Sequence, residues 1–288
     1  MEKLKQSRTA SFLVLAGVYA VAAVVGIAVY RVLEDALAWW LALLLADAVA
    51  TAVTFLFSLL FQNASVYDPY WSVQPPVILV AFAMGTPLTA LGVLLLIAVS
   101  FWGLRLTANW AYTFHGLLHQ DWRYTMLHEK TGVLYPVVNF IGIHMVPTLV
   151  VWGCILPAIF AVREQLPLNA GSVLFVCLSL GAATLQGIAD IQMHQFRRHR
   201  TGTFIRQGLW RYSRHPNYLG EILMWWGVAL AVLCAAPGAW YFCAGAVANT
   251  VLFLCVSIPL AEGRQARKEG YAAYRRETRM LLPVRKRS

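Results

Sequence analysis

The sequence predicts an all-α fold, a polytopic membrane helix bundle of 7–8 transmembrane helices. Three observations predict it. The 288 residues are 59% hydrophobic and only 12% charged, whereas roughly a quarter of an ordinary soluble domain is charged. Several uncharged runs reach the roughly 20 residues that a helix needs to cross a bilayer. Charges, Pro and Gly gather in the links between those runs, as they do at helix boundaries.

The elements follow in order. Residues 1–10 are basic and lack a clear small-residue cleavage site, so they lead into a retained first helix rather than a cleaved signal. Residues 11–32 and 36–61 form a hairpin across a short charged link. Asp47 lies inside the second run, where an acid either serves function or hydrogen-bonds a neighbouring helix. The stretch 62–72 is polar. Residues 73–84 are apolar but short, and Gly85-Thr86-Pro87 ends them. Residues 88–112 span again and carry Arg105, Thr107 and Asn109 near their end.

Residues 113–135 read as a solvated interfacial loop. They hold His115, His119, Asp121, Arg123, His128, Glu129 and Lys130. His115 and His119 are four apart, but no carboxylate shares their face in an amphipathic helix, so no metal is assigned. Residues 136–162 span with Asn139 and His144 inside, and His144 reads as a hydrogen-bonded core histidine. Residues 170–196 span, and 217–236 with 239–260 make a last hairpin turning at Ala236-Pro237-Gly238. The tail from 262 is basic and reads as an amphipathic surface segment.

Charge parity orients the chain. The arginine segment before Pro216 and the tail are two spans apart and share a side. Lys3, Lys5 and Arg8 join them if 73–84 crosses, which favours eight spans with both termini cytoplasmic. The net charge of +10 therefore reads as topology and not as a nucleic-acid surface. Cys154, Cys177, Cys234, Cys243 and Cys255 all lie in apolar runs without a C-x-x-C pair, so they read as small hydrophobes. The domain reading is one integral bundle: 1–112 as a substrate side and 113–288 as a cofactor side.

The chemistry concentrates around Arg211-Tyr212-Ser213-Arg214-His215-Pro216-Asn217-Tyr218-Leu219-Gly220-Glu221. Arg197, Arg198, Arg200, Arg206, Arg211 and Arg214 occur here with no acid between Arg197 and Pro216. Pro216 suits a first helical position. The N–H groups after it and the arginines would together bind an anion. Gln186, Asp190, His194 and Arg197 fall on one helix face, and so do Asn217, Tyr218 and Glu221. Glu221 is an acid in an apolar helix and needs a partner, either an arginine or a donor on a ligand. Interhelical pairing of Asp190 and Glu221 with arginines, without a ligand, is the other reading.

These residues, the 190–197 spacing and the Glu262…Tyr271…Tyr274…Pro283 tail resemble the C-terminal half of the steroid 5α-reductase family. The resemblance is closer to an uncharacterised bacterial branch of it and covers roughly 104–283. It implies an NADPH-dependent reductase of a carbon–carbon double bond, acting on a lipophilic, steroid- or isoprenoid-like substrate in a bacterial inner membrane. Arg105, Gln186, Asp190, Arg197, Arg214, His215, Asn217, Tyr218 and Glu221 would face NADPH, joined by Glu262, Arg264 and Tyr274 of the tail. Guanidinium groups match its phosphates.

The N-terminal half departs from the steroid-reducing members. It lacks a Gln-Glu pair, and 88–104 contains no Tyr. It has instead Asn63…Tyr67-Asp68-Pro69-Tyr70-Trp71-Ser72. Tyr67 is the expected donor to the substrate oxygen, with Asp68 orienting it or donating a proton itself. Alternatively, Asp68-Pro69 caps the next helix. The R-H-P-x-Y-x-G corner is also found in isoprenylcysteine carboxyl methyltransferases, so an S-adenosylmethionine-dependent methyltransferase is the rival reading. The expected partners are a lipophilic small molecule and membrane lipid, with no nucleic acid, and no oligomeric state follows.

Overall fold

A computed structural model describes residues 5–199 and 202–283. Lys3, Arg200 and the last basic residues, 284–288, lie outside the described residues. Among the described residues the fold is all-α. The helices are α1 (Arg8–Leu33), α2 (Trp39–Leu60), α3 (Tyr70–Met84) and α4 (Ala90–Thr113). They continue as α5 (Trp122–Arg163), α6 (Ala170–His199), α7 (Pro216–Ala235) and α8 (Pro237–Gln265). A short α9 (Tyr271–Glu277) closes the described chain.

Seven of them, all but α3 and α9, are long and apolar enough to cross a membrane. This is the build of a polytopic integral membrane protein. α1 shows why. Its buried residues are Ser11, Leu15, Val18 and Ala22, a single narrow stripe. Leu13, Val24 and Val32 point outward at 70%, 67% and 77% exposure. A helix apolar on all sides suits lipid.

The structure corrects two expectations. Seven helices, not the eight favoured by charge parity, have the length of a full span. The short apolar run does become helical, but the 15 residues of α3 extend only about 22 Å, short of a hydrocarbon core of roughly 30 Å. The supposed loop 113–135 is also half helix. Asp121 caps α5 by accepting from the Arg123 N–H at 2.8 Å. The helical path then runs through a 3₁₀ turn (Gly132–Leu134) and a π-helical stretch (Asn139–Met145) before its final part.

The chain divides into two compact units. Unit 1 comprises Met1–Val77 and Leu106–Trp152. There, α1 and α2 pack as the expected hairpin, with Leu15, Val18, Phe61, Val66 and Phe114 in one cluster. The polar stretch after α2 fastens the segment that precedes α5. Asn63 Nδ2 donates to the carbonyls of Leu117 (2.7 Å) and His119 (3.1 Å), and the Ala64 N–H donates to Gln120 Oε1. Gly116 holds φ +113° there, and a Cβ would come within 2.9 Å of the Lys5 carbonyl. Only glycine fits both conditions.

Unit 2 comprises Ile78–Arg105 and Gly153–Ser288. Its centre is the α6–α7 pair. Gly220 and Gly227 share a face of α7, and a Cβ at Gly220 would sit 2.6 Å from the Ala182 carbonyl. Ser179 Oγ donates to the Met224 carbonyl at 2.9 Å, and Ser172 Oγ to that of Ala231 at 2.7 Å. Small residues with hydroxyl cross-links are how helices associate where water supplies no drive. Gly153 of α5 and Gly245 of α8 also touch main chain to main chain. The tail does not lie loosely on the surface. Tyr271 and Tyr274 are buried against Phe204.

Candidate functional site

The centre of unit 2 is Glu221, on the first turns of α7. Its side chain is buried and fully served. Oε2 accepts from Trp102 Nε1 at 2.8 Å and Gln186 Nε2 at 2.6 Å, and Oε1 accepts from Trp225 Nε1 at 2.8 Å. Two indoles and an amide thus take the place expected of an arginine or a ligand. From Gln186 the chain of contacts continues outward. Its Oε1 accepts from Arg105 Nη2. Arg105 Nη1 pairs with Asp190 Oδ2 at 3.0 Å, and Asn217 Nδ2 reaches Asp190 Oδ1 at 3.5 Å. Gly187 makes room for this: a Cβ there would lie 3.1 Å from Arg105 Cδ.

Two atoms at the outer end of this chain are buried without a partner, Arg105 Nε and Asn217 Oδ1. One is a donor and the other an acceptor. Buried polar groups are nearly always paired, so this end is suited to a ligand that offers both functions, such as a carboxamide or a sugar hydroxyl.

A second group in unit 2 is cationic. Arg197 and Arg264 are exposed, and their charges reach Lys268. Burial, then the Arg264 and Arg197 charges, push the Lys268 ammonium below its usual range. Its Nζ donates to the Thr203 carbonyl at 2.7 Å. Arg197 also acts on Asp190, which links the two groups. Three cations at close quarters suit a phosphate. The sequence alone assigns Lys268 no role, because one more lysine in a basic tail carries no signal.

The arginine-histidine corner is differently employed. Arg214 is buried. Its Nε donates to Glu262 Oε1 at 2.7 Å, and its Nη1 donates to the carbonyls of Thr278 and Arg275. His215 lies 3.2 Å from the same Glu262 oxygen. Burial lowers its imidazole below the ordinary range, offset in part by Glu262, so the ring is neutral at neutral pH and gives an N–H to the carboxylate. Tyr218 stacks on His215 at 5.2 Å. Tyr274 donates its hydroxyl to the Trp210 carbonyl. Arg214, His215, Glu262 and Tyr274 therefore fasten the tail to the corner that starts α7. Arg105, Gln186, Asp190, Asn217 and Glu221 form one cluster, with Gln186 and Glu221 buried and the other three half-buried.

The two remaining expected residues lie in unit 1. Tyr67 is buried, and its hydroxyl lies 2.7 Å from Thr148 Oγ1, which in turn lies 3.0 Å from Thr51 Oγ1. Burial raises its phenol above the usual range. Asp68 turns elsewhere. Its Oδ1 accepts from the Tyr124 hydroxyl at 2.6 Å. Burial pushes its carboxyl up to about 6, against the lowering effect of Tyr124. Thr148, not Asp68, holds the Tyr67 hydroxyl. Asp47 meets Tyr70 (3.5 Å) and Gln74 of α3, and the i, i+4 spacing of those two could have found the pair. Among the described residues no group of three or more metal-type side chains assembles.

The model of a protein family described as "Protein of unknown function (DUF1295)" matches residues 54–278. No curated protein matches the chain, and no solved structure does.

Proposed function

We propose that this chain, which belongs to the DUF1295 family, is a membrane-embedded, NADPH-dependent reductase of a carbon–carbon double bond in a lipophilic substrate. The observation that carries the reading is the chain of contacts from Glu221 to Asn217, ending in one buried unpartnered donor and one buried unpartnered acceptor. That pair complements a carboxamide or ribose hydroxyl. The cations Arg197, Arg264 and Lys268 complement phosphates, the 2′-phosphate among them. The residues present fit such a group.

Bound NADPH would supply a hydride to an electron-poor carbon of the double bond. The chain has two tasks in return. Glu221 and Gln186 hold Arg105 in place, so that its orientation is set before any ligand arrives. In unit 1, Tyr67 is the proposed hydrogen-bond donor to the substrate's conjugated oxygen, held by Thr148. Asp68, with its carboxyl raised to about 6, is the proposed source of the proton for the second carbon. The steroid- or isoprenoid-like character of the substrate, and a bacterial inner membrane as its setting, belong to the same proposal.

The test is ligand-dependent thermal stability of the detergent-solubilised protein. NADPH should raise the unfolding temperature and S-adenosylhomocysteine should not. Stabilisation by S-adenosylhomocysteine alone would replace the reductase with the methyltransferase.

A further inference from the structure

A second group of buried polar side chains, in unit 1, is not used by the reductase reading apart from Tyr67 and Thr148. Asp47 comes from α2, Tyr70 and Gln74 from α3, and Asn139, His144 and Thr148 from α5. All six are buried. They are continuous. The Tyr67 ring lies 4.7 Å from the His144 ring and 5.4 Å from that of Tyr70. Tyr70 and Gln74 both contact the Asp47 carboxylate.

Hydrogen-bond chemistry fixes which atoms remain. His144 sits in the π-helical stretch Asn139–Met145, a local geometry frequent at functional sites. Its Nδ1 lies 3.0 Å from the Asn139 carbonyl. A carbonyl only accepts, so in the neutral ring Nδ1 carries the proton and Nε2 is a bare acceptor. Gln74 gives its Nε2 to the Asp47 carboxylate, leaving Oε1 as an acceptor. Asn139 gives its Nδ2 to Ser58 Oγ at 3.3 Å, leaving Oδ1 as another. His144 Nε2, Gln74 Oε1 and Asn139 Oδ1 are all buried without a partner.

Each of these three acceptors lacks the same thing, a donor, and they lie at successive levels along α2: Gln74 beside Asp47, His144 beside Phe55 and Asn139 beside Ser58. Both Asp47 oxygens already receive one, so the unmet need is that of neutral acceptors and calls for a neutral donor. The surroundings are apolar. The Phe55 ring packs 5.5 Å from His144, and Leu45, Val49 and Leu56 of α2 face outward. We propose that this cluster is a binding site for the hydroxyl group of a lipid-soluble alcohol. The inference does not rest on the reductase reading. None of the residues proposed to hold the cofactor takes part, and the site would hold such an alcohol whatever happens to it afterwards.

The test uses the full chain in lipid nanodiscs with a photoreactive probe, hexadecanol carrying a mid-chain diazirine, and its methyl ether. The ether keeps the shape and loses the donor. The alcohol should label α2 and the Asn139–Thr148 part of α5 saturably. Unlabelled hexadecanol should compete, and the ether should label about tenfold less, the value of one lost hydrogen bond. Equal labelling by alcohol and ether in the wild-type protein would overturn the proposal. A water-filled site would give that result. One hydroxyl donates one hydrogen bond, so one of His144→Phe, Gln74→Leu and Asn139→Leu should erase the preference for the alcohol. Retention of the preference in all three, with elution volume and unfolding temperature intact, would also overturn it.

Discussion

Gln186 donates to Glu221 at 2.6 Å and accepts from Arg105, so one amide couples a buried carboxylate to a guanidinium. The amide is directional. Its N–H end must face the acid and its oxygen the base. Gln186→Glu should place two carboxylates together and weaken folding by about 2–4 kcal/mol. Gln186→Leu should cost about 1–3 kcal/mol by leaving Glu221 one donor short. Thermal unfolding in a fixed detergent measures both. Equal losses would argue against the coupling.

Gly187 tests the position of Arg105 without touching its charge. A methyl there would meet Arg105 Cδ at 3.1 Å. Gly187→Ala should lower NADPH affinity by about tenfold. The unfolding temperature should change little, since alanine suits a helix interior better than glycine. Titration calorimetry or thermal-shift titration reads the affinity.

Lys268 tests the phosphate group. Lys268→Ala should weaken NADPH by roughly tenfold and leave NADH unchanged, if the cations read the 2′-phosphate. Competition titrations with the two cofactors measure the ratio. Equal losses for both would confine Lys268 to holding the Thr203 carbonyl.

Asp68 predicts a pH dependence. Its folded carboxyl is pushed up to about 6, above the unfolded value of about 3.9. The folded protein therefore binds this proton more tightly. The contribution to stability is fully present below about pH 4 and is lost as pH rises through about 6. His215 runs the other way. Its folded value is lowered, so its contribution is present above about pH 6.5 and is lost as pH falls. The difference in unfolding temperature between wild type and Asp68→Asn isolates the first effect. That difference should shrink or reverse from pH 4 to pH 7.

Arg214 should be the most costly corner residue to replace. Arg214→Ala leaves Glu262 in place with a partner removed, at about 3–5 kcal/mol. It should also make the chain after α8 sensitive to protease. Arg214→Lys should restore little, because one ammonium cannot reach a carboxylate and two carbonyls in that planar geometry. Limited proteolysis followed by mass spectrometry locates the cut.

Much of the fold is legible because a bilayer imposes one length on every spanning helix. Residues 11–32, 170–196 and 217–236 foretell α1, α6 and α7 to within three residues at each end. The spacing of Gln186, Asp190, Asn217 and Glu221 likewise foretells one polar cluster. The donors to Glu221 are illegible, since Trp102 and Trp225 sit in apolar runs and read as bulk hydrophobe. The work of Arg214 is illegible for another reason. Two of its partners are main-chain carbonyls, and these leave no trace in a side-chain pattern. α5 begins early because Asp121 caps it, a local signal hidden among six other charged or histidine residues.

Gly153 and Gly245 bring α5 and α8 together with no side chain between them. A seam of bare backbone has no rotamer to yield, so the two strips of helix translate as a pair or part altogether. A single methyl there acts as a wedge. Any rearrangement that opens unit 2 must swing both helices together, and the hinge for it must lie elsewhere.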